Sequence, residues 1–348
     1  MKGSSPPPYQ DLNQGYRETV KSVSAKMRVL SRLAVQALAC SAALTLATPA
    51  VPQGQSQNPP TIKTEVSLVN LFATVRDKNK RVVTDLKQEN FKISEDGHEE
   101  KISFFSKEMM LPITLGLLLD TSGSEQNMLG AIQSAGGRFL RRVLRKGDEA
   151  MVISFDTDVD LLSDFTDDRS ILDRAINKAR INTPGGGYIA GNPGPVGSGN
   201  MTGTALYDAI YLACGEKLNG EAGRKAIVIV TDAQDEGSKV KLEEAIESAQ
   251  RTDTVIHVLL VADPRYGGNG GVARRLADDT GGRVIFVSSE KKLEEAFDQI
   301  SEELRSQYTL GYYPTNNNRD GKFRKIKLDV DNHDFKVLAR KGYYAPKG

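Results

Sequence analysis

A chain of 348 residues with 39% apolar and 26% charged side chains has ordinary globular composition and room for about two domains of roughly 150 residues each. The formal charge of +1 becomes about −3 once residues 1–50, with their six Lys or Arg and two Asp or Glu, are set aside, so no nucleic-acid surface is indicated. Cys40 and Cys214 define no disulfide framework, and His98, His257 and His333 stand apart from any Cys or His at ligand spacing, which argues against a zinc site.

Taken in chain order, the first feature is the apolar run LAVQALACSAALTLA at 33–47, with Arg28 and Arg32 upstream and Thr48, Pro49 and Ala50 downstream. This is the pattern of an export signal and is short for a membrane span, so residues 1–50 are read as a signal-peptide region, with Met27 as an alternative start. Cys40 follows Ala37, Leu38 and Ala39, a poor match to a lipobox. Cleavage near Ala50 leaves VPQGQSQNPP, residues 51–60, as a polar linker. No later segment is suited to anchoring the chain in a membrane, and a periplasmic or extracellular protein is expected.

Residues 61–108 read as β: VSLVNLFATV alternates, DKNKR turns, and FKISEDGHEEKISFF forms a hairpin about Asp96 and Gly97. From 111 to 306, the strand-like runs ITLGLLLD, AMVISF, KAIVIVTD, TVIHVLLV and RVIFVSS alternate with the helical spacings MLGAIQSAGGRFLRRVL, ALYDAIYLACGEKL, KLEEAIESAQ and LEEAFDQISEELR. Near-continuous apolar strands separated by helices imply a doubly wound, mostly parallel sheet of α/β, Rossmann-like class, with ligands at the carboxyl ends of the strands. Residues 307–346 return to β signals in YTLGYY, FRKIKLDV and FKVLARKGYY, with a turn at NNNRDG. These strands are expected to pair with the first β module, so that the α/β domain is inserted into a small discontinuous β-sandwich.

The chemistry concentrates in LLLDTSGSE. An apolar strand delivers Asp120 into a turn that also holds Ser122, Gly123 and Ser124. Far along the chain Thr204 precedes a helix, and another buried strand ends in Asp232. Hydroxyl and carboxylate oxygens converging at one sheet edge suit Mg²⁺ or Mn²⁺, and an ion held largely by neutral hydroxyls stays electrophilic enough to accept an acidic side chain from a protein partner.

Asp120-Thr-Ser122-Gly-Ser124, then Thr204, then Thr231-Asp232, resembles the metal ion-dependent adhesion site of von Willebrand factor type A domains. The resemblance implies Ser122, Ser124 and Thr204 as hydroxyl ligands, with Asp120 and Asp232 binding directly or through water. The flanks VRDKNKRVVTDLKQENFKISEDGHEEKISFF and LRSQYTLGYYPTNNNRDGKFRKIKLDV are similar to the acidobacterial-type VWFA-related family. Departures are Ala233, where many type A domains have Gly, and the insertion PGGGYIAGNPGPVGSGNMTG before Thr204.

The function this implies is a non-catalytic, metal-dependent protein-binding module acting in adhesion or envelope assembly. A metal-dependent hydrolase is the first competitor, although Ser122 stands where dehalogenase-type phosphatases carry a second Asp and there is no Gly-x-Ser-x-Gly elbow. A scaffold with a non-functional metal site is the second. Locally, Ser122 or Ser124 with Glu125 also reads as a helix cap. FDTDVDLLSDFTDD lacks the Gly and Glu of a calcium loop and reads as a charged hairpin. Asp235 and Glu236 either tune the metal or are solvated loop charge. One tyrosine of each pair, Tyr312-Tyr313 and Tyr343-Tyr344, is expected to be buried.

Overall fold

The computed structural model describes residues 68–107, 111–181, 203–261 and 267–348. The leader, the linker, the start of the first β module and the Gly-rich insertion as far as residue 202 lie outside them.

The described chain opens with four strands, β1 (Val69–Arg76), β2 (Phe91–Glu95), β3 (His98–Glu100) and β4 (Ile102–Ser106). The β2–β3 turn follows the sequence reading: Asp96 and Gly97 both have positive φ, as a two-residue hairpin of this hand requires. The α/β domain then builds β5 (Ile113–Asp120), α1 (Leu129–Val143), β6 (Glu149–Phe155), β7 (Val159–Thr166), α2 (Arg169–Ile176), α3 (Leu206–Leu212), β8 (Arg224–Thr231), α4 (Leu242–Arg251), β9 (Thr254–Val261), α5 (Gly270–Thr280), β10 (Val284–Val287) and α6 (Glu290–Arg305). Its six-stranded sheet has the order β10-β9-β8-β5-β6-β7, parallel except for β7.

The apolar strands are covered on both faces, as the runs demand. Leu115, Leu117, Leu119, Val228 and Val230 pack with α1, α2 and α6 on one side, while Leu118, Ile227, Ile229, Ile256 and Val258 pack with α3, α4 and α5 on the other. Three elements escape the sequence reading. The acidic run is a hairpin as expected, and its second arm is the antiparallel edge strand β7. Helix α2 starts where the Asp168 carboxylate accepts from Ser170 N and Ile171 N. Helix α5 starts after Asn269, whose side chain accepts from Val272 N, and stops at Gly281 in the left-handed region. The helix read over 205–218 is α3 continued by a π-helical turn, Ala213–Leu218.

After α6 the chain forms β11 (Tyr308–Tyr312), β12 (Phe323–Val330), β13 (Lys336–Leu338) and β14 (Gly342–Tyr344). The sheets β13-β1-β11-β4 and β14-β12-β2-β3 enclose a shared core of Leu71, Val75, Phe91, Ile93, Leu310 and Ile326, so the α/β domain is inserted into a β-sandwich. FKVLARKGYY is two strands in different sheets rather than one. Between them Arg340 donates to Asn70 O at 2.6 Å and pairs with Asp253, and Gly342 passes so close to Arg324 O that a Cβ would lie 2.3 Å from it. Tyr312 is buried beside exposed Tyr313, but Tyr343 and Tyr344 are both half-buried, because Tyr343 donates to Glu95 and Arg251 lies 4.0 Å over the Tyr344 ring.

His257, in the middle of β9, is enclosed, and among the described residues neither ring nitrogen has a hydrogen-bond partner. Burial pulls its pKa from 6.5 to about 4. The unfolded chain therefore takes up a proton that the folded chain refuses, and stability present above the unfolded pKa is lost as pH falls from about 6.5 towards 4, by on the order of 3 kcal/mol. Denaturant unfolding of wild type and His257→Leu across this window should show the extra fall in wild type alone.

Candidate metal centre

Strand β5 leads to β6 on one side and β8 leads to β9 on the other, so the connections leaving these neighbouring strands diverge and open a crevice at their carboxyl ends. Asp120, the last residue of β5, is fully buried there. Its Oδ1 accepts from Ser122 N at 2.9 Å and Ser122 Oγ at 2.6 Å, and its Oδ2 accepts from Thr231 Oγ1, at the end of β8, at 2.6 Å. Ser122 Oγ lies 3.0 Å from Ser124 Oγ. The loop is held down by Thr121, whose N–H donates to Phe155 O at 2.9 Å and whose hydroxyl reaches Phe155 O and the Asp156 carboxylate.

Helix capping does not account for these serines. Ser122 precedes the 3-10 turn Gly123–Glu125, yet its side chain makes no cap hydrogen bond and turns back to Asp120 instead. Glu125 is buried rather than solvated.

Thr204 reaches the same edge through its backbone. Its carbonyl accepts from Glu236 N and Gly237 N, both at 3.2 Å, and the next residue, Ala205, donates to Asp156 O at 2.6 Å. The approach is close at Gly203, where a Cβ would stand 3.3 Å from Gly237 Cα. Thr204 is nearly buried, and its hydroxyl makes no hydrogen bond among the described residues. Asp232, also buried, accepts from Gln234 N at 3.0 Å and Gln234 Nε2 at 3.3 Å. Ser122 thus touches both Asp120 and Ser124, Asp232 follows Thr231 in the next loop, and Thr204 is bonded through its backbone to that loop.

Burial raises the Asp120 pKa to about 6; the hydrogen bonds from Ser122 and Thr231 oppose this, and the charge of Asp232 adds to it. The buried Asp120 carboxylate, with the Ser122 and Thr231 hydroxyls against it and the charge of Asp232 near enough to be felt, forms an acceptor-rich set of the kind a hard divalent cation takes up. The residues present therefore fit such an ion.

The structure assigns other residues to support. Thr231 bridges the two strand ends, because its hydroxyl donates to Asp120 and accepts from Ala233 N at 2.9 Å. A threonine directly before a strand-end aspartate is the sequence signal for it. Asp156, in the acidic run weighed against a calcium loop, ties the loop after β5, through the Thr121 hydroxyl, to the N–H of Ala205, the residue after Thr204. Asp235 caps α3, accepting from Tyr207 N at 3.1 Å and from Ser238 Oγ. Ala233, the departure from glycine noted in the sequence, has φ of 60°, where glycine is at ease and a Cβ costs about 1–2 kcal/mol.

Residues 115–234 match the family model for the von Willebrand factor type A domain. Comparison with curated proteins gives no match. Among solved structures, the chain is similar to conserved hypothetical protein BatB from Bacteroides thetaiotaomicron at 19% identity and a TM-score of 0.42, over 56% of this chain and 100% of that one. It is similar to proximal thread matrix protein 1 from the mussel byssus at 15% identity and 0.48, over 61% of this chain and 51% of that one. A von Willebrand factor type A protein from Catenulispora acidiphila aligns at 12% identity and 0.46, over 82% and 75%.

The opposing influences on Asp120 give a signed test. In chelator-treated protein, Thr231→Val should move the Asp120 titration above about 6, and Asp232→Asn should move it down towards the ordinary carboxyl range. Carboxyl ¹³C chemical shifts followed against pH read both variants.

Proposed function

Since the chain carries a von Willebrand factor type A domain, we propose that it is a non-catalytic, divalent-metal-dependent protein-binding module that acts outside the cytoplasm in adhesion or envelope assembly. The observation that carries this reading is the oxygen-only set at the β5/β8 crevice. Ser122, Ser124 and Thr204 would supply hydroxyl ligands to Mg²⁺ or Mn²⁺, and Asp120 and Asp232 would bind it directly or through water. When bound, the ion offers a Lewis-acidic position to a carboxylate of the partner.

The chain's own residues prepare that position. Thr231 and Ser122 orient the Asp120 carboxylate, Thr121 and Asp156 fix the loop floor, and Asp235 with Ser238 steadies the helix that follows Thr204. The mussel protein named above has also been solved with zinc in its MIDAS motif; the hydroxyl-rich set here favours harder ions.

The hydrolase reading has less support. Ser122 occupies the place of the second aspartate of dehalogenase-type phosphatases, and the histidines lie elsewhere: His98 and His333 in the β-sandwich and His257 inside the sheet. Export rests on the basic and apolar pattern before residue 50. Among the described residues no helix is long and apolar enough to cross a membrane.

Calorimetry of the purified protein should give one Mn²⁺ per chain, with affinity about 10- to 100-fold weaker in Thr231→Val, which removes only a supporting hydroxyl. Generic phosphatase and esterase substrates should not turn over. Metal-dependent hydrolysis that disappears in Asp120→Ala would favour the enzyme instead. Native protein sequenced from its N-terminus should begin near Val51, and an intact leader recovered from the cytosol would overturn export.

A further inference from the structure

Helix α3 with its π-helical continuation packs beside α4, and a cleft of about 390 Å³ opens between them. Tyr211, Gly215 and Asn219, each four residues after the last, line one wall. Glu244, Glu247, Ser248 and Arg251, at steps of three and four, line the other, so each helix turns one stripe to the cleft. Its volume falls within the range of small-molecule sites.

The centre of the cleft is open because of two residues that packing alone does not require. Gly215 lies in the π-helical turn Ala213–Leu218, a wide turn of the kind found often at functional sites. A Cβ on Gly215 would meet nothing nearer than Ser248 Oγ, at 3.4 Å, an ordinary contact, so alanine, the better helix former, would fit. Across from it Ser248 is 8% exposed and shares the buried side of α4 with Ala245 and Ala249. Among the described residues its hydroxyl donates to Tyr211 O at 3.4 Å, long for a hydroxyl donor, which leaves it free to bond more tightly to a ligand.

Charge selects the class of ligand. The Arg251 Nε donates to Glu247 Oε1 at 2.7 Å and its guanidinium lies 4.0 Å over the Tyr344 ring, so the lining offers no uncommitted cation to a phosphate or carboxylate. The same pair neutralises Glu247, and Glu244 accepts from Lys241 N at 2.8 Å beside the positive end of α4. What the walls still offer is the Asn219 amide, the Ser248 hydroxyl, the second Glu244 oxygen and the Tyr211 ring, which is 43% exposed. A pyranose matches that set: hydroxyls around its rim both donate and accept, and its C–H face is drawn to the negative face of an aromatic ring.

We propose that this cleft is a saccharide-binding site, with Tyr211 as the stacking platform and Asn219, Ser248 and Glu244 as hydrogen-bonding partners of a neutral sugar. It shares no residue with the metal centre and does not rest on the metal reading. The test uses the full chain, with glucose, maltose, galactose and N-acetylglucosamine as probes and ¹H–¹⁵N chemical shifts as the readout. At least one sugar should shift the amides of Gly215, Asn219 and Ser248, with equal affinity in chelator and in Mn²⁺. Tyr211→Ala should weaken that binding about 5- to 10-fold, and Gly215→Ala, which fills the floor, gives the same comparison if Tyr211→Ala does not fold. Maltose bound more tightly than glucose would assign the cleft to a unit within a glycan, and equal affinity to a free or terminal sugar. No response to any of the four sugars, an affinity unchanged in the folded variant, or tighter binding of arginine methyl ester than of every sugar would overturn the proposal.

Discussion

The hydrogen bond from Thr231 to Asp120 joins residues 111 positions apart and sets the geometry of the whole upper edge. It requires β5 and β8 to be neighbours, to run parallel and to end level, and the pairing of Leu119 with Val230 meets all three conditions. Once those ends are level, the loops after them have little freedom. The first folds back through Ser122 onto Asp120, and the second turns sharply at Ala233 so that its N–H can reach Thr231.

That turn accepts strain. A non-glycine residue with positive φ persists only where its surroundings over-determine it, and Ala233 is packed on all sides, with its amide committed to Thr231. The raised proton affinity of Asp120 has the same origin: a carboxylate is kept dry beside another carboxylate because strand register leaves it nowhere else to go. Both features concentrate at the crevice, and apart from His257 in β9 the central strands of the sheet are packed apolar core.

Much of this is legible in the residues. ITLGLLLD and KAIVIVTD are apolar throughout because they are covered on both faces, and their terminal aspartates mark where burial by helices stops. Thr231 is marked by its place directly before a strand-end aspartate, but its role is less visible, since its partner Asp120 lies 111 positions away. Helix α2 hides behind the acidic run that precedes it, and α5 behind a glycine-rich entry and paired arginines. The break between β13 and β14 is illegible for a different reason. It depends on Arg340 meeting Asn70 and Asp253, partners far away in sequence that no local pattern announces. Asp235 misleads in the opposite direction, because its nearness to Asp232 in sequence suggests metal chemistry while its carboxylate is spent on the start of α3.

The charged hairpin of β6 and β7 ends the six-stranded sheet at one margin. A twisted open sheet ends in a row of unpaired backbone groups, which invite a second chain to add a strand. At this margin β7 presents exposed Asp160, with Asp167 and Asp168 just beyond, while Asp164 is paired with Lys217 and exposed Leu161 interrupts the charge. A second copy approaching in register would bring like charges together at the spacing of paired strands, where they repel. The same acidic residues therefore keep a sheet of buried apolar strands from growing at its edge, which matters wherever many copies of the chain are crowded together.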